Sequence, residues 1–359
     1  MTTLSDKVLN SLQWIEPNPN RIVFRLFILL HGTHIWVVST LIIQGVSIFW
    51  TFTSSPSTLD FYYAGVIHSL IAPSVLYQLF WLRKRNNLRD MHQQLFSFLE
   101  KLETHSSASE KKILNNSSRL ITKISTMVIL SFSVEGTIVT LQPVSNGRLP
   151  SCLQGLPITD AKSIIAQVVH VLTFVPLAIS AGHFFLCETR AVLFLVLGFN
   201  ILSGRMKEVH TFQDLREIAS LHSEILMIAQ RTRKIFDQYI CLALCQFCMI
   251  VVFATLATIK SVTAPEILAI IPICGCLLFL ICTLGETLQQ ASGQLFSSAY
   301  SFNWYESSIS FQKIILVVLV RSLKPANMTA SLLGNVCMTL SLNFLKMWYR
   351  FLQALLNII

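Results

Sequence analysis

Long uncharged apolar runs, separated by polar stretches, form the dominant pattern of this chain. A helix needs about 20 mostly apolar residues to cross about 30 Å of hydrocarbon. Seven runs come near that length: residues 26–52, 61–82, 124–142 (interrupted by Glu135), 163–187, 238–259, 267–285 and 325–345. Two more, 191–204 and 314–320, are too short to span and read as helices packed on protein or at an interface. The run 163–204 carries only Glu188 and Arg190 as charges. As one helix it would reach roughly 63 Å, well past the bilayer. In the polar stretch before the fifth run, Leu221, Ile225, Ile228, Ile235 and Tyr239 recur near helical spacing around Glu224, Arg231 and Arg233. That spacing predicts an amphipathic helix continuing the membrane helix. Extensions of several spans are therefore expected to build a helical layer on one side of the membrane.

Composition agrees with the pattern. Of 359 residues, 53% are hydrophobic and 13% charged, against roughly 25% charged in soluble domains; mean hydropathy is +0.61. Soluble catalysis, secretion and nucleic-acid binding fit this balance poorly. No cleavable signal peptide is expected, because the first twenty residues are polar. The net charge of +9 is an orientation signal. With the N-terminus in the cytosol, 22 of the 27 Lys and Arg fall inside and 5 outside. The expected fold class is thus an all-α membrane protein of seven transmembrane helices, N-terminus cytosolic and C-terminus extracellular. This is the reverse of a G-protein-coupled receptor. Of nine cysteines, all but Cys152 lie in or beside apolar segments, where cysteine acts as a small hydrophobe.

Candidate chemistry is sparse. His-Glu-x-x-His, Gly-x-Ser-x-Gly, P-loop and Gly-x-Gly-x-x-Gly motifs are all absent, so no enzyme, metal or cofactor is expected. Cys245-x-x-Cys248 continues back to Cys241 within an apolar helix and reads as structural. Glu135 lies mid-run beside Ser133, Gly136, Thr137 and Thr140. Such a polar stripe either faces a ligand cavity or bonds a neighbouring span.

At the carboxyl end, Cys282-Thr-Leu-Gly-Glu-Thr-Leu, Ser292, Ala299-Tyr-Ser-Phe-Asn-Trp-Tyr-Glu306, Arg321-Ser-Leu-Lys-Pro325, Met328-Thr-Ala330, Leu345-Lys346 and Tyr349 follow in order. This series resembles the C-terminal signature of insect odorant receptors. A second block, Leu221-His-Ser-Glu-Ile-Leu-Met-Ile-Ala229, is similar to a segment of the same family ahead of the fifth span.

The resemblance implies an odorant-gated, non-selective cation channel in the plasma membrane of a sensory dendrite. A tuning subunit would join an obligate co-receptor in a hetero-oligomer, a tetramer, and bind a small volatile organic ligand in the outer half of its bundle. No nucleic acid would be involved. Guided by that pocket location, depth and polarity select Tyr62 and His68 of the second span, Ser133, Gly136, Thr137 and Thr140 of the third, and His170 and Phe174 of the fourth. The last helix would line the pore, with Ala354 and Ile358 at an apolar gate. The preceding stretch would anchor the subunits through Tyr300, Trp304, Arg321, Lys324 and Pro325. The chain then divides into a cytosolic N-terminal segment (1–25), spans one to six with pocket and cytosolic extensions 83–123 and 187–237 (26–288), an anchor helix (289–324) and a pore-lining helix (325–359). Trp348 and Arg350 depart from the family by replacing small or polar residues. Arg350 either faces the pore or snorkels to the outer interface, and snorkelling is the favoured expectation. A G-protein-coupled chemoreceptor and a gustatory-receptor-like homomeric channel are the alternatives.

Overall fold

The computed structural model describes residues 58–104, 106–145, 161–259, 265–301 and 303–358 and, apart from isolated positions, side chains within 76–131, 181–259 and 271–357. The first expected span, 26–52, lies outside them. Seven α-helices occur among the described residues: α1 (Thr58–Thr104), α2 (Ala108–Ser145), α3 (Ala161–Lys207), α4 (Phe212–Ile259), α5 (Pro265–Tyr300), α6 (Ile309–Ser322) and α7 (Met338–Ile358). A 3-10 turn, Trp304–Glu306, precedes α6, and a small antiparallel hairpin, β1 (Thr329–Ala330) with β2 (Gly334–Asn335), precedes α7.

Each apolar run from the second to the sixth is embedded in a longer helix. At 47 residues, α1 and α3 measure about 70 Å each, more than twice the hydrocarbon thickness. Capping boxes open two of these helices where the chain turns. Glu110 N–H donates to Ser107 Oγ (3.3 Å) and Ser107 N–H to Glu110 Oε2 (2.9 Å); Thr211 and Asp214 repeat the exchange at 3.1 Å each way.

The helices alternate in direction. Near the end of α3, Arg205 donates to Glu110 Oε1 at the start of α2 (2.9 Å) and to the Leu102 carbonyl at the end of α1 (3.0 Å). Antiparallel to α1 runs α4: Lys101 meets Glu224 (2.7 Å), Arg231 meets Asp90 (3.7 Å), and Tyr77 donates to Gln246 (2.6 Å). The expected amphipathic face of α4 is as read, with Leu221, Ile225, Ile228, Ile235 and Tyr239 all buried. They pack against Leu88, Met91, Leu95, Phe98 and Leu102 of α1 and the apolar residues of α3 in one core. Burying each such side chain contributes about 1.5–3 kcal/mol.

α3 packs against α1, α2, α4 and α5. The stretch Ala181–Lys207 is long and apolar enough to cross a membrane, yet 89% of its most apolar window is covered by protein. This fits a helix apolar on all sides and the expectation that 191–204 packs on protein. Two other stretches of membrane-crossing length and composition lie in α4 and α5.

Two expected boundaries are corrected. The seventh span, read from the apolar run 325–345 and expected as a pore-lining helix over 325–359, is a helix only from Met338 to Ile358. Residues 325–337 instead form the hairpin: Thr329 pairs with Asn335, Ala330 with Gly334, and Val336 N–H donates to the Met328 carbonyl (3.0 Å). Pro325 lacks the N–H that a continuing helix requires, and Gly334 adopts φ +84° at the turn, a conformation other residues rarely accept. At 21 residues, the shifted helix is about 31 Å long, which is the thickness of the hydrocarbon layer. The anchor segment 289–324 is likewise not one helix. Its first part completes α5, the chain turns at Trp304–Glu306, and α6 begins only at Ile309.

Candidate functional site

Three regions bear on function: the end of the bundle where the ligand pocket is expected, the helix α6, and α7 with its hairpin.

The expected pocket residues fall on three helices. Tyr62 and His68 lie near the start of α1, Ser133, Gly136, Thr137 and Thr140 near the end of α2, and His170 and Phe174 near the start of α3. Because Arg205 ties the opposite ends of the same three helices together, their backbones share one end of the bundle. The side chains of these eight residues, and of Glu135, lie outside those described. At the other end, a cavity of about 290 Å³ is lined by Ser107, Glu110, Arg205, Glu208, Asp214 and Glu217, among others. Burial alone would raise the Glu110 carboxyl, but the Arg205 guanidinium and the Ser107 amide hold it below its ordinary value. This charged cavity suits no apolar ligand.

The core also holds polar groups. Arg190, buried, donates from Nε to Ser125 Oγ (3.0 Å), and Glu188 is buried nearby in sequence. His92 is hydrogen-bonded through Nδ1 to the Leu88 carbonyl (2.8 Å). Burial pushes its imidazole down to about 4, the Leu88 bond opposing and the Arg190 charge reinforcing the shift, so the ring is neutral at physiological pH. Among the described residues, no group of three or more His, Cys, Asp or Glu is placed to hold a metal ion.

One face of α6 packs on its own chain through Phe311, Ile315, Val318 and Leu319. On the other, Ile309, Leu316, Val317 and Val320 stand exposed, followed by Leu323 just past the helix end. Of the expected anchor residues, Tyr300 is exposed and stacks on Phe296 (6.1 Å). Trp304 and Pro325 are half-buried, and Lys324 is exposed. Arg321, also exposed, donates to Ser223 Oγ of α4. That bond joins the two segments that carried the family resemblance.

α7 rests on α4 and α5. Trp348 Nε1 donates to Thr255 Oγ1 (2.9 Å), Thr283 Oγ1 meets Met338 Sδ (3.5 Å), and Ser341 and Phe344 are buried. The opposite side is a polar stripe that the sequence reading missed: Thr339, Asn343, Lys346, Arg350, Gln353 and Asn357 are all exposed. Their spacing alternates four and three, which keeps them within about 40° of one line along the helix. Ala354 is exposed and flanks the stripe, while the Ile358 side chain is outside those described. The signal was present in the sequence, since the pore-lining helix expected over 325–359 holds all six positions, but only Arg350 among them was weighed as facing the pore.

The comparisons agree with this architecture. A family model described as 7tm Odorant receptor matches residues 66–349, more than three quarters of the chain. Odorant receptor 67a of Drosophila melanogaster is 27% identical over 150 residues, 40% of this chain and 36% of that one. Odorant receptor 67c of the same fly is 23% identical over 191 residues, 49% and 47% of the two chains. The matched stretches therefore span less than half the length of these relatives. Among solved structures, the insect olfactory receptor OR5 from Machilis hrabei is similar with a TM-score of 0.71, covering 96% of this chain and 93% of that one at 14% identity. Its complex with eugenol gives a TM-score of 0.75 at the same identity, covering 96% and 92%. At that identity the likeness shows the fold. The family match over residues 66–349 carries the assignment: the chain belongs to the 7tm odorant receptor family, whose members are membrane receptors and not enzymes.

Proposed function

We propose that the chain is the odorant-tuning subunit of a ligand-gated cation channel. The observation that carries this reading is the polar stripe of α7. A helix of membrane-crossing length that leaves Lys346, Arg350, Gln353 and Asn357 exposed on one line has no stable place in lipid, where each charge costs at least about 2.5 kcal/mol. Water along that face removes the cost, and a central pore supplies it. Arg350 lies on the stripe, which favours the pore-facing alternative over the snorkelling one. Ala354 and Ile358 remain the proposed gate, where an apolar ring would block ions by dewetting.

Subunit assembly follows from α6. Its exposed row, Ile309, Leu316, Val317 and Val320, is too short to span and would face water in a lone chain. Other subunits, an obligate co-receptor among them, would cover it in a tetramer. The charge bias supports a cytosolic layer and N-terminus with the C-terminus outside, and the family resemblance supports the plasma membrane of a sensory dendrite.

Tyr62, His68, Ser133, Gly136, Thr137, Thr140, His170 and Phe174 are the proposed pocket, at the extracellular end of α1 to α3. A small volatile ligand bound there opens the pore only by preferring the open state. Gly136→Trp should reorder potency across a panel of esters, alcohols, aldehydes and terpenes by tenfold or more, with surface level unchanged. An unaltered dose–response series over the whole panel would remove Gly136 from the pocket.

A further inference from the structure

We infer that Asp237 positions the foot of α7 by latching the hairpin that precedes it to α4, so that displacement of α4 is passed to the pore helix. This rests on the reading of α7 as pore-lining.

A hairpin with two residues per strand is not stable by itself, so the segment 326–336 is held by what surrounds it. Met328, Ala330 and Val336 are buried in the bundle core. The polar grip comes chiefly from one carboxylate: Thr329 Oγ1 donates to Asp237 Oδ1 and Ser331 Oγ to Asp237 Oδ2. One turn earlier on α4, Arg233 donates to Asn327 Oδ1 (3.2 Å), and Asn327 in turn donates to Asn335 Oδ1 (2.7 Å), which ties the two arms together. On α5, Ser292 Oγ accepts the Ala326 N–H (2.9 Å).

Asp237 stands where α4 enters its apolar run, and α7 starts only three residues after Asn335. The second tie between the two helices is Trp348 to Thr255, eighteen residues further along α4, or about 27 Å. The pore helix is thus fixed to α4 at its foot and at mid-height. With both ties intact it follows α4 as a unit, and with the lower one cut its foot is free of α4. Asp237 is the one group that holds both hydroxyls of the hairpin, and it reaches them with ionised oxygens, which make the stronger class of hydrogen bond.

The test uses the full chain with a co-receptor, in two arms. In cells, Asp237→Asn should raise the half-maximal ligand concentration at least fivefold and lower the maximal current, with surface level as in wild type. Thr329→Val with Ser331→Ala should do the same, and all three substitutions together should be no worse than either, because both routes remove one latch. Asp90→Asn, whose carboxylate faces Arg231 and not the hairpin, should leave the response unchanged. In purified receptor, hydrogen exchange over 326–337 should quicken severalfold in Asp237→Asn, with 108–130 unaltered. Wild-type current with additive effects, or with unchanged exchange over the hairpin, overturns the latch alone. A wild-type receptor that passes no ligand-evoked current overturns the pore reading and the coupling role with it.

Discussion

Replacing Gly285 by alanine should abolish most of the ligand-evoked current, at least tenfold after correction for surface level. A methyl group at this position would lie 2.2 Å from the Val336 carbonyl oxygen and 3.1 Å from its carbon. Neither atom is the end of a flexible side chain. Both belong to the backbone just before α7, whose Val336 N–H is committed to Met328 and whose side chain is buried. The strain, of the order of 1–3 kcal/mol for overpacking of this kind, is relieved only by pushing α5 from the hairpin or the hairpin from α4. Either movement displaces the foot of the pore helix. Gly293→Ala, two turns further along α5, provides the control. Nothing lies within 4 Å of its Cβ position, and alanine is the better helix former by about 0.5–1 kcal/mol. Surface-normalised current and monodispersity in size-exclusion chromatography should therefore fall for Gly285→Ala and hold for Gly293→Ala. Equal behaviour of the two would mean that the hairpin and α5 do not meet as closely as described.

A cationic thiol reagent applied from outside should remove more than half of the ligand-evoked current from Gln353→Cys, and faster with ligand present than without. Gln353 lies on the polar stripe with Arg350 and Asn357 and accompanies Tyr349, to whose hydroxyl it donates (2.9 Å). Phe344→Cys, on the buried face against the bundle, should be inert to the reagent. Met347→Cys tests the direction of the pore more sharply. Met347 is 54% exposed but lies about 80° from the stripe, so it is expected to face lipid or a neighbouring subunit. The unsubstituted chain, with its own nine cysteines, sets the baseline. Block at Met347→Cys with none at Gln353→Cys would turn the pore face away from the stripe.

Much of the fold was legible because membrane helices announce themselves by long apolar runs. The runs at 61–82, 124–142, 163–187, 238–259 and 267–285 all lie within the helices α1 to α5. The amphipathic row from Leu221 to Tyr239 was equally plain, since its spacing follows the helix period. The seventh span misled for a physical reason. Met328, Ala330 and Val336 are as apolar as any membrane helix because their side chains are buried in protein, while Ser331, Leu332, Gly334 and Asn335 of the same hairpin are exposed. Apolar content cannot separate the two, and only Pro325 and Gly334 punctuated the run. The polar stripe lay within the pore-lining helix expected over 325–359, but its period shows only once the helix is followed from Met338 to Ile358. The latch was hidden more deeply. Asp237 is 92 and 94 residues from its two partners, and no period within either segment links them. The pocket residues were chosen by depth and polarity, and the helices bring their backbones to one end of the bundle. Which side chains face the ligand is a matter of helix rotation, which polarity alone does not fix.

The channel reading is tested most directly by whole-cell current during application of a panel of volatile esters, alcohols, aldehydes and terpenes. The chain is expressed with an insect odorant co-receptor, and G-protein signalling is blocked. A fast ligand-evoked cation current that needs both chains and is indifferent to the block is expected. Ligand responses that vanish with G-protein signalling, while both chains are at the surface, would contradict it.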